Sequence, residues 1–229
     1  MCTTSDFVKS FSSIEDAFFF LGRASYRELT EREAAIAEEK RVVPKYFVFD
    51  TETCGTREQL CVQLAWVAFD AEKNVVEKYS QIFRLPRGKK INFFAQRVHG
   101  IDDARLAREG VDPRPELEFF LNWTVLVLAN GGMIVAHNAN FDVGVIANTC
   151  KTWGVLNQLS LDNVFCTMRA STPHCGLTDK RGRIKWPKLS ELFKILHDGR
   201  EAKGRLHDAL VDTEIAAACL FKGFEKGWW

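Results

Sequence analysis

The stretch YFVFD, residues 46–50, is aromatic and β-branched up to its final aspartate, and Thr51 and Glu52 follow it directly. This composition is typical of a buried strand. Because successive side chains of a strand point to opposite sides, we expect Asp50 and Glu52 on one side and Thr51 on the other. Two adjacent carboxylates at the end of a buried strand repel each other, and a divalent cation would remove that repulsion. An isolated Asp-x-Glu sequence after a strand is, however, more typical of a solvated turn.

The segments that follow this strand predict a mixed sheet with helices on its faces. Strands are expected at residues 61–69 and 75–84, joined by a turn, so the chain should begin with an antiparallel meander. Helices and short strands then alternate, and the patterns place them at residues 115–130 (helix), 133–136 (strand), 141–153 (helix), 163–166 (strand), 188–196 (helix) and 209–222 (helix). Strands followed by strand–helix alternation describe an α/β fold.

Length and charge limit the classes of protein to which this chain can belong. Its 229 residues suit one α/β domain, placed here at residues 45–229, preceded by a charged, helical N-terminal extension at residues 1–44. The formal net charge is only +1, which excludes a protein that coats nucleic acid through bulk positive charge. Binding of nucleic acid would therefore need a local basic patch, or metal ions that neutralise phosphate.

The cysteines and apolar segments favour an intracellular protein, cytoplasmic or nuclear and not secreted. Seven cysteines occur without a C-x-x-C pair, which indicates reduced thiols. Cys166, His174 and Cys175 are expected on one loop, and we interpret Cys166 as the end of a buried strand in preference to a zinc ligand. The longest apolar run, residues 125–129, is far shorter than the ~20 apolar residues that span a bilayer, so no membrane association is expected.

Two further islands place acidic residues at the ends of predicted elements. HNANFD, residues 137–142, follows a predicted strand and puts Asp142 in the first turn of a helix, where an acidic residue also complements the helix dipole. HDALVD, residues 207–212, leads into the last helix. Since residues five apart do not share a helix face, we expect His207 on the preceding loop and Asp212 inside the helix. Each island alone also fits an ordinary helix N-terminus.

Taken together and in this order, the three islands resemble the three motifs of the DEDDh branch of the DnaQ-like exonucleases, within the ribonuclease-H-like superfamily. Asp50 and Glu52 match the first motif, Asp142 matches the second, and His207 with Asp212 match the third. The resemblance spans about residues 45–222. Secondary matches are VHGI at 98–101, CTMR at 166–169 and WPKLSEL at 186–192, whereas residues 54–56 read CGT where many relatives have Thr-Gly-Leu.

The resemblance implies a ribonuclease-H-like fold, a mixed five-stranded sheet flanked by helices, and a metal-dependent 3′–5′ exonuclease that releases nucleoside 5′-monophosphates. It implies two divalent cations, Mg²⁺ with Mn²⁺ as a substitute, held by Asp50, Glu52, Asp142 and Asp212. Carboxylates are the ligands that such cations prefer, and paired cations suit phosphodiester hydrolysis. His207 would be the general base, because imidazole exchanges protons near neutral pH.

The same resemblance implies that the substrate is single-stranded nucleic acid or the 3′ ends of DNA or RNA. The residues expected to contact it are Thr51, Thr53, His99, Asn138 and Phe141, although core packing is the more common use of a phenylalanine such as Phe141. Two basic stretches are further candidates for phosphate contacts, one at residues 84–97 and one that contains Lys180, Arg181, Arg183, Lys185 and Lys188. Solvated loop lysines are an equally good interpretation of both.

The sequence leaves two alternatives to an independent exonuclease. A nucleic-acid-binding or scaffold module could keep the fold without catalysis, although all five catalytic residue types are present. A proofreading subunit would keep the chemistry but need a separate polymerase. The sequence favours neither DNA nor RNA and leaves open a protein partner or a homodimer. His137 is expected to hydrogen-bond the loop before Asp142, with a substrate role as second choice.

Overall fold

A five-stranded mixed sheet forms the centre of the computed structural model, which describes residues 44–229; the predicted extension at residues 1–44 lies outside this part except for Pro44. The strand order is β3-β2-β1-β4-β5. The strands are β1 (Tyr46–Thr53), β2 (Cys61–Phe69), β3 (Val75–Ile82), β4 (Met133–Ala136) and β5 (Val164–Cys166). β1 pairs antiparallel with β2 and parallel with β4, so it is the central strand. The predicted mixed sheet and its antiparallel meander are confirmed.

Seven α-helices flank the sheet within the described residues, and a single 3₁₀ turn at Leu161–Asn163 precedes β5. The helices are α1 (Phe93–His99), α2 (Asp103–Glu109), α3 (Pro113–Ala129), α4 (Ala139–Trp153), α5 (Thr167–Cys175), α6 (Leu189–Leu196) and α7 (Ala209–Glu225). Over residues 44–229, every helix is too short or too polar to cross a membrane.

β1 is packed on both faces, which explains its uninterrupted apolar sequence. Phe47 and Phe49 lie on the face covered by α3 and α4, where their rings are 5.6 and 5.2 Å from that of Phe120. Val48 lies on the opposite face, against Ala216 and other apolar residues of α7. Odd-numbered side chains of β1 therefore face α3 and α4, and even-numbered side chains face α7.

The structure adds three helices that the sequence pattern did not predict, namely α1, α2 and α5. Helices α1 and α2 have seven residues each and few buried side chains, so they show no apolar periodicity. Their starts are fixed by capping, since Asn92 accepts from the N–H of Phe94 and Asp102 accepts from that of Arg105.

Helix α5 corrects the expected loop around His174 and Cys175. It contains Pro173, which a sequence pattern treats as a helix breaker, and it ends at Gly176 with a left-handed φ of 61°. Cys166 does end a strand, as expected. The six cysteines of the described part are free thiols, and Cys54, Cys61, Cys150 and Cys219 are buried, in agreement with the prediction of reduced, mostly buried cysteines.

Two glycines, one in the turn between α3 and β4 and one inside α4, allow the packing of the fold to be tested with opposite expected changes in stability. A Cβ on Gly132 would lie 2.8 Å from the carbonyl oxygens of Lys45 and Val127, so Gly132→Ala should lower the free energy of unfolding by ~1–3 kcal/mol through overpacking. Gly144 lies inside α4 with open space at its Cβ position, so Gly144→Ala should raise that free energy by ~0.5–1 kcal/mol. Urea denaturation of both variants measures the two opposite shifts.

Candidate active site

An open cleft of about 790 Å³ lies at the C-terminal end of β1, and its lining includes all five predicted catalytic residues, Asp50, Glu52, Asp142, His207 and Asp212. These residues come from three distant segments of the chain. The parallel pairing of β1 with β4 brings the start of α4 to the same edge of the sheet as the end of β1. The cleft is therefore a direct consequence of the sheet order.

The carboxylates reach the cleft from both faces of the sheet. Asp50 and Glu52 share a side of β1 with α7, which carries Asp212, whereas Asp142 is carried by α4 on the other side. Thr51 points towards α4 and donates to Asp142 Oδ1 from its hydroxyl (2.7 Å) and its backbone N–H (3.1 Å). The alternation along β1 thus places Thr51 where it positions Asp142, in addition to lining the cleft.

His207 lies on the loop before α7 and Asp212 lies within that helix, as predicted. His207 takes a left-handed φ of 64°, and its backbone N–H donates to Asp212 Oδ2 at 3.0 Å. The side chain of Asp208 caps α7 by accepting from the N–H of Leu210. This strained turn leaves the imidazole of His207 exposed at the cleft while it holds one oxygen of Asp212.

Burial and mutual repulsion raise the pKa of every carboxyl group in the cluster. Burial, followed by the charges of Asp212 and Asp142, raises the pKa of Glu52 to about 8. Burial raises the pKa of Asp142 to about 7 against the opposing effect of the Thr51 hydrogen bonds. The pKa of Asp50 is well above its usual range through burial and the charges of Asp142 and Glu52, and burial also raises that of Asp212. The protein without a cation carries an unfavourable concentration of negative charge.

The residues fit a hard divalent cation. Asp212 Oδ1 is buried and has no hydrogen-bond partner among the described residues, although its other oxygen accepts from His207. Ligand atoms of Glu52, His207 and Asp212 all lie within 4.8 Å of one another. An unpartnered carboxylate oxygen within such a group suits a cation, which would satisfy it and offset the repulsion. The ring of His207, predicted as a base outside the ligand set, is thus also within reach of a metal ligand position.

His99 is buried and acts on the cleft through the backbone. Its Nδ1 accepts from the N–H of Ile101 (3.0 Å), so Nε2 carries the proton and donates to the carbonyl of Thr53 (3.1 Å). Burial lowers the pKa of His99, which keeps the ring in this neutral form. Thr53, His99 and Phe141, which were predicted to contact substrate, all line the cleft.

Asn138, in contrast, is absent from the described residues that line the cleft. It occupies the sharp turn before α4 with a left-handed φ of 64°, and its carbonyl accepts from the N–H of Phe141 at 2.8 Å. This conformation accounts for an asparagine at the turn, because asparagine tolerates this backbone region better than most residues, and the contact of Asn138 with substrate stays a prediction.

His137 has a structural role, as the sequence favoured, but its partners are Pro187 and Thr167 and not the loop before Asp142. Its Nε2 donates to the carbonyl of Pro187 (3.1 Å) and its Nδ1 lies 3.0 Å from the hydroxyl of Thr167. Burial lowers the pKa of His137 to about 4, so the ring is neutral. It ties the floor of the cleft to the segment before α6.

Sequence reasoning missed several residues of the cleft wall. Asn92, Phe94 and Val98 belong to α1 or its cap, and Arg57 lies on the loop after β1. The spacing of four between Phe94 and Val98 puts them on one helix face, but this signal is visible only once the helix is known. Both side chains are largely exposed and give the cleft an apolar lip.

Comparisons with known proteins agree with this geometry. The family model of the RNase_T exonucleases matches residues 47–220. The chain is 28% identical over 186 residues to the PolC-type DNA polymerase III of Caldanaerobacter subterraneus subsp. tengcongensis, which covers 80% of this chain and 12% of the polymerase. The chain therefore spans about an eighth of the length of that curated relative.

Solved structures share the fold at low sequence identity. The nuclease domain of 3′hExo, a DEDDh family member bound to rAMP, superimposes with a TM-score of 0.64 at 15% identity, covering 81% of this chain and 94% of that domain. Escherichia coli Exonuclease I in complex with a dT13 oligonucleotide gives a TM-score of 0.62 at 20% identity, covering 78% of this chain and 40% of that protein. The predicted ribonuclease-H-like sheet with flanking helices is confirmed.

The raised carboxyl pKa values predict that stability without metal falls as pH rises. A carboxyl group whose folded-state pKa is raised binds more protons when folded, so its favourable effect is lost between the unfolded pKa of ~4 and the folded values of about 7 and about 8. In EDTA, the melting temperature should therefore be higher near pH 5.5 than near pH 8, and Mg²⁺ should raise it at the higher pH.

Substitution of Asp50 tests whether repulsion among the carboxylates causes this pH dependence of the melting temperature. Asp50→Asn removes one of the repelling charges, so its melting temperature in EDTA should change less with pH than that of the native protein. Glu72→Gln, an exposed change on the β2–β3 turn, should leave the native dependence intact. A melting temperature that rises from the lower to the higher pH in EDTA would contradict the repulsion.

Proposed function

Because the chain belongs to the RNase_T exonuclease family, we propose that residues 45–229 form a 3′–5′ exonuclease that releases nucleoside 5′-monophosphates from the 3′ end of nucleic acid. The observation that carries this proposal is the convergence of Asp50, Glu52, Asp142 and Asp212 in one cleft, with a buried oxygen of Asp212 left unpartnered. A protein that had lost catalysis would gain nothing from keeping these four repelling carboxylates.

The proposed ligands of two divalent cations, Mg²⁺ or its substitute Mn²⁺, are those four carboxylates. When bound, such cations neutralise the phosphate, activate the attacking water and stabilise the leaving oxygen. Thr51 fixes one oxygen of Asp142, and the N–H of His207 fixes one oxygen of Asp212, so each carboxylate presents its other oxygen in a defined direction. The chain therefore sets the ligand geometry from both faces of β1.

His207 is proposed as the general base. Its imidazole is exposed at the cleft beside Asp212, so it can take a proton from water within the cleft and release it to solvent. The backbone N–H of His207 donates to Asp212, and this hydrogen bond holds the turn that exposes the ring. It therefore keeps the proposed base beside the carboxylate. Thr53, His99 and Phe141 are proposed to contact the terminal nucleotide.

The attachment of α1 supports action on a free end. The N–H of Asn92 donates to the carbonyl of Cys54 at 2.7 Å, and His99 donates to that of Thr53 at 3.1 Å, so both ends of α1 are fixed to the segment after β1. This helix walls one side of the cleft. A strand end can enter past such a wall more easily than the middle of a continuous strand.

A proofreading role is the second candidate, and the similarity to a PolC-type DNA polymerase III favours it. In that case the same chemistry would act on a 3′ end delivered by a polymerase. Faster removal of a mismatched than of a matched 3′ nucleotide in the presence of a polymerase would favour proofreading over an independent exonuclease.

Metal dependence and polarity are tested with one set of substrates. Single-stranded DNA and RNA labelled at the 5′ end should be shortened stepwise in Mg²⁺ or Mn²⁺, with nucleoside 5′-monophosphates as products, and should remain intact in EDTA. A circular single strand should resist cleavage. Asp50→Asn should be folded and inactive, which shows that the activity comes from this site; cleavage of the circle would overturn the 3′-end assignment.

Substitution of His207 separates a base from a metal ligand. If the ring is the base, His207→Ala should lower the rate ~10²–10⁴-fold and abolish the increase in rate with pH that proton loss from imidazole produces. Its Mn²⁺ affinity should equal that of the native protein, whereas Asp212→Asn should weaken Mn²⁺ binding. A His207→Ala variant that loses rate and Mn²⁺ affinity together would instead place the ring among the ligands.

A further inference from the structure

A two-stranded hairpin at residues 177–186, hereafter the basic hairpin, projects from the segment between α5 and α6. Its strands are held by bonds from the N–H of Asp179 to Arg183 (2.8 Å) and from that of Lys185 to Leu177 (2.9 Å), with Thr178 bridged to Ile184. Gly182 forms the tight turn with a left-handed φ of 75°. These bonds make the hairpin an ordered projection.

The base of the basic hairpin is anchored at the cleft. Pro187, which directly follows it, is buried, and its carbonyl accepts the hydrogen bond from His137 at 3.1 Å. His137 itself lines the cleft with Asp142. The hairpin therefore begins at the cleft wall and extends outward from it.

One side of the basic hairpin presents large apolar side chains to solvent. Ile184 is 78% exposed and Trp186 is 60% exposed. Residues two apart in an extended segment point to the same side, so the two form one apolar surface. The indole of Trp186 stacks on no other aromatic ring among residues 44–229. An exposed tryptophan beside a functional cleft indicates a binding surface.

The charges of the basic hairpin divide into paired and unpaired groups. Arg183 pairs with Asp179 at 2.7 Å and Lys185 pairs with Glu191 at 2.5 Å, so both of these cations are neutralised locally. Lys180 and Arg181, at the tip, are exposed and form no ion pair within the described part of the chain. The tip therefore carries two positive charges that are free to attract an anion.

We propose that the basic hairpin binds the nucleic acid strand where it leaves the cleft, upstream of the 3′ end, and this proposal rests on the proposed exonuclease function. Trp186 stacks on a base of the strand, and Lys180 and Arg181 contact its phosphates. A single strand offers both an unpaired base face and a negative backbone, which match an exposed indole and unpaired cations. Because the cleft floor is acidic, attraction for the rest of the strand needs cations outside that floor, and the tip of the basic hairpin supplies two.

The length of the basic hairpin sets the length of strand that it reaches. The six residues from Arg181 to Trp186 span at most ~20 Å at ~3.3 Å per residue. A strand whose bases are stacked as in a duplex advances ~3.4 Å per nucleotide, so the contacts extend over at most roughly six nucleotides. A dinucleotide would occupy the cleft without touching the tip.

The test compares a dinucleotide with a single strand of about 20 nucleotides. Trp186→Ala and the double variant Lys180→Ala/Arg181→Ala should raise KM for the long strand on the order of 10-fold and leave kcat/KM for the dinucleotide unchanged. Trp186→Phe should have a KM for the long strand close to that of the native protein. Leu156→Ala, an equally exposed apolar residue, and Lys151→Ala, at the far end of α4 from Asp142, are matched controls and should behave as native.

Binding provides a readout that does not depend on turnover. Fluorescence anisotropy of the long strand in Ca²⁺ should give a dissociation constant that weakens with salt, and the double variant should lower the salt slope by up to ~1.4, since each single-strand phosphate contact contributes ~0.7. Equal losses on both substrates, an unchanged KM for the long strand or an unchanged salt slope would each overturn the proposal. If the native protein degrades neither substrate, the exonuclease proposal fails, while the anisotropy still decides whether the basic hairpin binds the strand.

Discussion

The burial of β1 on both faces is the constraint on which the rest of the structure depends. A strand packed against α3 and α4 on one side and α7 on the other must be apolar along its length, and Phe47, Val48 and Phe49 satisfy this. At its C-terminal end the same alternation sends polar residues towards both helical layers. Glu52 meets Asp212 on one side, and Thr51 binds Asp142 on the other. One strand therefore defines both the core and the place where its two helical layers supply carboxylates to a common point.

The acidic cluster opposes folding, and its surroundings hold it in place. Burial and repulsion raise the pKa of all four carboxyl groups, which means that their ionised forms are less stable here than in water. The hydrogen bonds from Thr51 and from the N–H of His207 act in the opposite direction. The adjacent core contains aromatic rings in mutual contact, including Trp66, whose ring is 5.1 Å from that of Trp123 and 5.0 Å from that of Phe47. Strong packing near a repulsive site is the usual compromise where function requires charge in a buried place.

The sequence predicted the parts of the fold whose signals are periodic and local. The central strand, the meander and helices α3, α4, α6 and α7 have apolar patterns, and they lie within a few residues of their predicted bounds. Helices α1 and α2 depend on side-chain caps and on packing against the end of β1, so no periodicity marks them. Helix α5 contains Pro173, which a sequence pattern treats as a helix breaker, so no sequence signal marked this helix.

The candidate site shows the same contrast between local sequence signals, which could be predicted, and tertiary contacts, which could not. The five residues predicted to be catalytic follow strand and helix ends at positions that can be read from the sequence, and the cleft brings them together. Asn138 was predicted to contact substrate, but a left-handed turn favours the same residue type, so the sequence pattern alone does not separate the two roles. The link from His99 to Thr53 and the wall formed by Phe94 join segments roughly 40 residues apart, and no local pattern records such contacts.

The distribution of charge resolves a conflict between chemistry and binding. The carboxylates that would hold cations also repel a phosphate backbone, so a cleft of this kind binds its substrate weakly through its floor alone. A uniformly basic surface would correct this but would also pair with the carboxylates and compete for the positions of the cations. In this chain Arg183 and Lys185, nearer the base of the basic hairpin, are neutralised by acidic partners, and the unpaired cations lie at its tip. The Debye length is ~8 Å at physiological salt, so unpaired charges at the tip would act mainly on a strand that passes beside them. A chain with a net charge of only +1 can in this way attract nucleic acid and still keep an acidic centre.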